Sequence, residues 1–219
     1  MSDNYIKGTL DRMKIFLWLF VFFATAGAVY YFVAGEKGAL VLQMQEFYTP
    51  TLNKIVRVVT DFGTYPLILL TLVTVGLLRK KTFVPAVIAL AVEGVVVDIL
   101  KKVVYRAPRP SVYLEDAGLT FAEGLRVLCC NSFPSGHSSL AFACATVILL
   151  SYSRGAWIQI GLFLLAASVA LSRVYLAVHF LEDILVGSAL GILVPILIFW
   201  LYEYVVRRRR IPYTPIQKS

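Results

Sequence analysis

Long apolar runs broken by short polar segments set the pattern of this chain. Six of them approach the ~20 residues, at ~1.5 Å rise each, that a helix needs to cross a hydrocarbon core. They are Ile15 to Ala34, Phe62 to Leu78, Phe83 to Leu100, Leu140 to Tyr152, Ala156 to Val178 and Ile184 to Val205. The second and fourth are short and are expected to continue into amphipathic or polar turns at their outer ends. The predicted fold class is all-α: a polytopic membrane protein with six transmembrane helices. Little of the chain remains for a soluble domain, so residues 1–219 are expected to form one helical membrane domain. Thr49-Pro50 reads as an N-cap followed by proline in the first turn. After it, Leu52, Ile55, Val56 and Val59 share one helical face, and Asn53, Lys54, Arg57 and Thr60 share another. That pattern predicts a helix lying in the membrane interface before the second run.

Composition agrees with a membrane protein. The chain is 59% hydrophobic and 16% charged, with a mean hydropathy of +0.77, outside the range of soluble domains. A net charge of +8 would suit a nucleic-acid partner, but the placement of the cations argues against one. Lys7, Arg12 and Lys14 precede the first run, and Arg79-Lys80-Lys81 separates the second from the third. Arg154 lies between the fourth and fifth, and Arg207 to Arg210 follows the sixth. These positions mark one side as cytoplasmic and put both termini there, with the terminal arginine run drawn to anionic lipid. Ala26-Gly27-Ala28 resembles a signal-peptide cleavage site, but the apolar run continues through Val33, which favours an uncleaved anchor. Cys129 and Cys130 are adjacent, which strains a bridge between them, and Cys144 lies inside the fourth run. All three read as small buried hydrophobes, although the outward side of the membrane would permit oxidation.

The polar chemistry is concentrated in three clusters, Lys102 to Pro110, Asn131 to Ser139 and Ser172 to Asp183. The alternation of spans puts all three on the outer side, without the charge assignment having required it. The chain's two histidines, His137 and His179, fall in the last two clusters. Between the first two clusters, Ser111 to Leu128 reads either as a lid or substrate rim or as a solvated connector. Glu93 and Asp98 are costly within an apolar run. Asp98 reaches Lys101 or Lys102 at helical spacing, whereas Glu93 has no evident partner. Gly187 and Gly191, four apart, permit close helix approach, within one chain or between two.

Arg109 and Arg173 suit bidentate phosphate contacts, and Lys102 adds a third positive charge. Ser135 and Gly136, at the start of the fourth run, would offer backbone N–H groups to phosphate oxygens. His179 and Asp183 are four apart, so the carboxylate can fix the imidazole tautomer and leave the other nitrogen free to attack phosphorus. His137, on a different span, would protonate the leaving oxygen and then activate water. The signature offers Asp183 as its only carboxylate, so no metal site is expected.

Lys102-x6-Arg109-Pro110, Pro134-Ser135-Gly136-His137 and Ser172-Arg173-x5-His179-x3-Asp183 together resemble the three-part signature of the type 2 phosphatidic acid phosphatase superfamily. The resemblance covers about 80 residues in order and spacing and departs at no signature position. It implies a metal-independent phosphatase working through a phosphohistidine. It gives His179 as nucleophile, His137 as acid and base, and Asp183 as the orienting carboxylate. Lys102, Arg109, Ser135, Gly136, His137 and Arg173 would be the phosphate ligands. The expected partners are the bilayer and a lipid phosphate within it, in a bacterial inner membrane with the site on the extracytoplasmic face. Candidate substrates are undecaprenyl diphosphate, phosphatidylglycerol phosphate, phosphatidic acid and lipid A phosphate. Phosphotransfer between lipids would use the same residues. A phosphate or head-group transporter is the non-enzymatic alternative, although it would favour charges deep in the bundle. Vanadate-dependent haloperoxidases share the motifs but are larger soluble proteins.

Overall fold

The computed structural model describes residues 8, 10–122, 124–152 and 155–209, the last three without their side chains. Lys7, Glu123, Arg154 and Arg210 therefore lie outside the described residues, as do the side chains of Arg207 to Arg209. Helix makes up 79% of the structure. Among the described residues the only β pairing is an isolated bridge between Pro108 and Cys130. In chain order the helices are α1 (Lys14–Ala34), α2 (Ala39–Gln45), α3 (Pro50–Phe62), α4 (Tyr65–Leu78) and α5 (Lys80–Ile99). A π-helical segment, Leu100–Tyr105, continues α5. Then come α6 (Pro110–Tyr113), a 3-10 turn (Glu115–Ala117), α7 (Gly136–Ser151), α8 (Ala156–Tyr175) and α9 (Leu181–Arg209).

Among the described residues, four helices are long and apolar enough to cross a membrane: α1, α5 with its π extension, α8 and α9. A fifth candidate is the pair α3 and α4, bent by 45° at a short break. The lipid-compatible surface is plain on α1, where Trp18, Phe22, Phe32 and Val33 are largely exposed.

At the centre is α7, a 16-residue apolar helix with 11 side chains buried. It packs against α5, α8 and most extensively α9. Close approach to α9 depends on two glycines. A Cβ on Gly187 would collide with the Ser135 carbonyl oxygen, and one on Gly191 with that of Ser139. The Gly187–Gly191 pair is thus a seam within the chain. Phe16 of α1, Phe142 of α7 and Phe163 of α8 meet with centroids 5.9 to 6.0 Å apart in tilted or edge-on pairs, the geometry aromatic quadrupoles favour. The start of α1 is also tied down, because Gln159 Oε1 accepts from the Ile15 and Phe16 amides at 2.9 and 3.1 Å. Those N–H groups have no partner within their own helix.

The expected helix after Thr49 is α3, and Thr49 Oγ1 caps it by accepting from the Leu52 amide at 3.2 Å. Its faces are used differently from the sequence reading. Asn53 and Thr60, taken there as part of the polar face, are buried, whereas Ile55 is 56% exposed. Asn53 donates to the Tyr48 hydroxyl at 3.0 Å, and Thr60 turns inward to meet Arg173.

Candidate active site

The three polar clusters converge at one end of the bundle, where α5 ends, α7 begins, α8 ends and α9 begins. Backbone bonds join the segments there. The Ser135 amide donates to the Asp183 carbonyl at 2.9 Å, the Arg109 amide to that of Cys129 at 2.9 Å, and the Ser132 amide to that of Ala107 at 2.9 Å. Among the described residues, the non-glycine positions with positive φ are Arg106, Asn131 and Ala177. Each lies within three residues of a site side chain. Left-handed backbone in ordinary residues costs roughly 1–2 kcal/mol, and it collects where the chain must reverse to present these groups.

His179 is fully buried in that turn. Its amide and that of Val178 both donate to the Arg173 carbonyl, at 3.2 and 3.1 Å, so the end of α8 folds back on itself. The imidazole Nδ1 lies 3.3 Å from Asp183 Oδ2. That oxygen also accepts from the Phe180 amide at 2.9 Å and from the Ser132 hydroxyl, and Ser132 Oγ stands 3.4 Å from His179 Nδ1. Burial first, and then the positive field of Arg173, Arg109 and Lys101, holds the His179 imidazole well below its usual pKa. It is therefore neutral near pH 7, with one nitrogen held by the carboxylate.

His137 is the second residue of α7, among the N–H groups of its first turn. It lies in the combined field of Arg173, His179, Lys101 and Arg109, so both histidines share one cluster. Ser135 is the N-cap. Its Oγ accepts from the Ser138 amide at 3.5 Å and the Ser138 hydroxyl at 2.9 Å, which leaves its own proton to donate. The positive end of a four-turn helix therefore opens on the histidines.

The two arginines are held differently. Arg173 is buried, and its Nη1 donates to Thr60 Oγ1 at 2.7 Å, while its Nε has no hydrogen-bond partner. A buried guanidinium N–H left unpaired is costly and suits an anion. Arg109 gives Nε to the Cys130 carbonyl at 3.0 Å, Nη1 to that of Val178 at 3.0 Å and Nη2 to that of Asn131 at 3.5 Å. It therefore ties the second cluster to the third and keeps two of its five N–H donors for another partner. Burial lowers its pKa and Asp183 opposes that shift, but a guanidinium stays charged throughout.

Lys102 is placed outside this cluster. Its ammonium is 2.7 Å from Asp98, and both side chains are largely exposed. Lys101 occupies the interior position instead. A Cβ on Gly136 would lie 3.5 Å from Lys101 Nζ and 3.7 Å from Val97 Cγ1. The physical reason is the helical stride. Glu93, Val97 and Lys101 follow at i, i+4 and i+8 on the face of α5 that meets α7, and Lys102 is turned off that face. The same stride explains Glu93, whose buried carboxyl group sits beside the Ser139 hydroxyl of α7.

Sequence reasoning passed over Lys101, Ser132 and Thr60. Lys101 was legible in the four-residue stride from Glu93. Ser132 stands in the quoted second cluster, but nothing local showed that it faces Asp183. Thr60 was assigned to a polar outer face.

Most of the connector's described residues are exposed, but it is anchored at several points. Ser111 Oγ donates to the Leu128 carbonyl at 2.8 Å, Tyr113 stacks edge-on against Phe180 at 5.6 Å, and Ala122 packs with Tyr175, Leu176 and Val178. Lys37 sits 4.4 Å from the centre of the Phe180 ring and 3.1 Å from Glu182, which ties the segment between α1 and α2 to the start of α9. The expectation of three buried thiols needs correcting. Cys129 and Cys130 are exposed and joined in a disulfide, because the turn that carries their carbonyls to Arg109 faces outward. Cys144 is buried and free. Among the described residues, no group of three or more His, Cys, Asp or Glu side chains could hold a metal ion.

The chain is similar to known proteins. The chain is 41% identical over 78 residues to lipid A 1-phosphatase of Porphyromonas gingivalis, which is 35% of this chain and only 18% of that protein's length. Among solved structures it is similar to Aquifex aeolicus LpxE, with a TM-score of 0.60 and 29% identity over 73% of this chain and 92% of that one. It also shares the fold of a transmembrane PAP2-type phosphatidylglycerolphosphate phosphatase from Bacillus subtilis. There the TM-score is 0.62 at 24% identity, covering 90% of this chain and 98% of that one. Residues 82–207, more than half of the chain and all three clusters, match the family described as PAP2 superfamily, and the chain is a multi-pass membrane member of that superfamily.

Proposed function

We propose that this protein is an integral-membrane phosphatase that hydrolyses a lipid phosphomonoester or diphosphate through a phosphohistidine. The observation that carries this reading is the buried His179–Asp183 pair in the field of Arg173, whose Nε is unpartnered. A neutral imidazole with one nitrogen tied to a carboxylate, next to a cation lacking an anion, is arranged to attack a phosphoryl group.

In the first step, the free nitrogen of His179 forms a bond to phosphorus and the P–O bond to the lipid breaks. His137 gives its proton to the leaving oxygen. In the second, His137 takes a proton from water as the oxygen attacks phosphorus, the P–N bond breaks, and inorganic phosphate leaves. Arg173, Lys101, the remaining donors of Arg109 and the N–H groups at the start of α7 hold the charge on the phosphoryl oxygens. Cationic side chains do this work, so excess EDTA is expected to leave turnover unchanged. Loss of turnover that magnesium restores would overturn the metal-independent reading.

We read six crossings, α1, α4, α5, α7, α8 and α9, with α3 as an interfacial segment. At ~1.5 Å per residue α7 is about 24 Å long, short for a crossing but shielded from lipid by its neighbours. Arg12, Arg79, Lys80 and Lys81 gather at the end of the bundle away from the histidines. By the positive-inside rule that end is cytoplasmic and the histidines face outward, in a bacterial inner membrane with both termini inside. Residues 1–219 then form a single domain. Lipid A phosphate and phosphatidylglycerol phosphate are the substrates suggested by the relatives, with undecaprenyl diphosphate and phosphatidic acid alongside.

Purified protein offered these four lipids in detergent should release inorganic phosphate from at least one and form an acid-labile phosphoenzyme. His179→Ala should abolish both. A phosphoenzyme that survives this substitution places the nucleophile elsewhere. Phosphate flux into vesicles that survives both His137→Ala and His179→Ala would favour a transporter.

A further inference from the structure

A second cationic site lies at the opposite end of the bundle. There a cavity of about 870 Å³ opens between the segment preceding α1, the α4–α5 junction and the end of α7. Arg12, Arg79, Lys80 and Lys81 line it, with Ser151 and Tyr152, and no carboxylate among the described residues does. Four positive charges crowded at one opening repel one another unless an anion is present. The catalytic reading uses none of them, since α7 separates the two sites by about 24 Å, at ~1.5 Å per residue.

The cavity offers more than charge. The first turn of α5 begins at Lys80, and no side chain caps it, so its N–H groups and positive dipole end are directed toward the same space. Ser151 Oγ is buried without a hydrogen-bond partner. Arg79 rests over the Tyr152 ring, 5.3 Å from its centre, which holds the guanidinium at the mouth. Topogenic charge alone needs neither a recess nor an orphaned hydroxyl.

Apolar surface continues directly from the cations. Leu77, Leu78, Phe83 and Val84 are all exposed beside the cavity on the helices that enter the bilayer. Cations above and lipid-facing hydrocarbon below match an amphiphile, with its head in the cavity and its chains along α4 and α5. We infer that this cavity is a binding site for the phosphodiester head group of an anionic phospholipid, distinct from the site of hydrolysis. Basic pockets between helices on the cytoplasmic side are suited to such head groups, and the volume falls within the range of ligand sites, roughly 300–1,000 Å³. The bound lipid would neutralise the crowded cations and pin the short α4–α5 turn against α7.

The test is native mass spectrometry of the full chain in detergent, titrated with tetraoleoyl cardiolipin. The wild type should retain cardiolipin in preference to dioleoyl phosphatidylcholine. Arg79→Gln, Lys80→Gln and Lys81→Gln together should weaken retention by at least roughly tenfold, at about 1 kcal/mol per cation. Lys80→Arg with Lys81→Arg should leave it unchanged. A wild-type circular dichroism spectrum and monodisperse elution would show that the triple variant is folded. Should it not be, Arg12→Gln alone carries the test, with a loss of about fivefold. Inorganic phosphate at millimolar concentration should fail to displace the lipid. Full retention in a folded variant, equal retention of phosphatidylcholine, or displacement by inorganic phosphate would overturn the inference, the last marking a site for soluble anions. None of these readouts depends on catalysis, so the inference stands or falls apart from the phosphatase reading.

Discussion

Ser132 Oγ lies within 3.4 Å of His179 Nδ1 while donating to the same Asp183 oxygen that orients that imidazole. Ser132 belongs to the loop before α7 and touches both members of the proposed nucleophilic pair. Removing it leaves Asp183 Oδ2 with the Phe180 amide and the imidazole as its remaining contacts. Ser132→Ala should lower kcat by about tenfold with little change in KM, the size of effect common for residues that orient a reactive ligand. Steady-state kinetics in detergent decide it. A change confined to KM would make Ser132 a substrate contact instead.

The two adjacent lysines make opposed predictions. Lys101 faces Gly136 and the start of α7, whereas Lys102 is paired with Asp98 at the surface. Lys101→Met should lower kcat/KM by on the order of 100-fold, comparable to losing one donor to a developing oxyanion. Lys102→Met should cost less than about threefold, as expected for an exposed ion pair. The reverse ranking would return the phosphate-binding role to Lys102.

Burial of a neutral His179 has a pH signature. Its pKa is lowered in the folded protein, so as pH falls through the ordinary histidine value of about 6.5 the unfolded chain takes up a proton that the folded chain refuses. Stability must then fall as the solution becomes acidic and level off at higher pH. Thermal unfolding between neutral and mildly acidic pH should show Tm falling toward acid. His179→Gln should flatten that slope. An unchanged slope in the variant would mean that His179 is protonated in the fold.

Gly191→Ala tests the seam between α7 and α9. The added methyl would overlap the Ser139 carbonyl, and overpacking of this kind costs roughly 1–3 kcal/mol. A lower Tm is expected, with a kcat loss exceeding any KM change, because His137 rides on α7 and Asp183 on α9, the helices that the seam joins. Wild-type Tm would show that the helices separate more easily than the contact implies.

Much of this site was legible because its chemistry is carried by fixed spacings. Ser135-Gly136 opens a helix as read, and the four-residue spacing does bring Asp183 to His179, but through the turn before α9, which begins at Leu181, and not along a helical face. Contacts between segments remote in sequence were not legible. Thr60 reaches Arg173 across 113 positions, and nothing in the amphipathic pattern of α3 distinguishes a threonine facing a buried arginine from one facing water. Motif spacing singles out Lys102, whereas the helical stride from Glu93 through Val97 turns Lys101 toward α7 and leaves Lys102 beside Asp98. The disulfide at Cys129–Cys130 was discounted because adjacent cysteines strain a bridge, a local argument that a constrained outer turn can override. Sequence periodicity also could not fix how α3 and α4 divide between interface and crossing.

The glycine seam has a consequence for operation in a fluid membrane. Side chains flex, and lipid thickness and tension vary around a bundle, but a main-chain contact has almost no give. His137 rides on one side of that contact, while His179 and Asp183 are carried by the other. The gap across which, on the proposed mechanism, a phosphoryl group passes is therefore gauged by backbone against backbone, as by fixed callipers, and should stay constant while the bilayer around it changes.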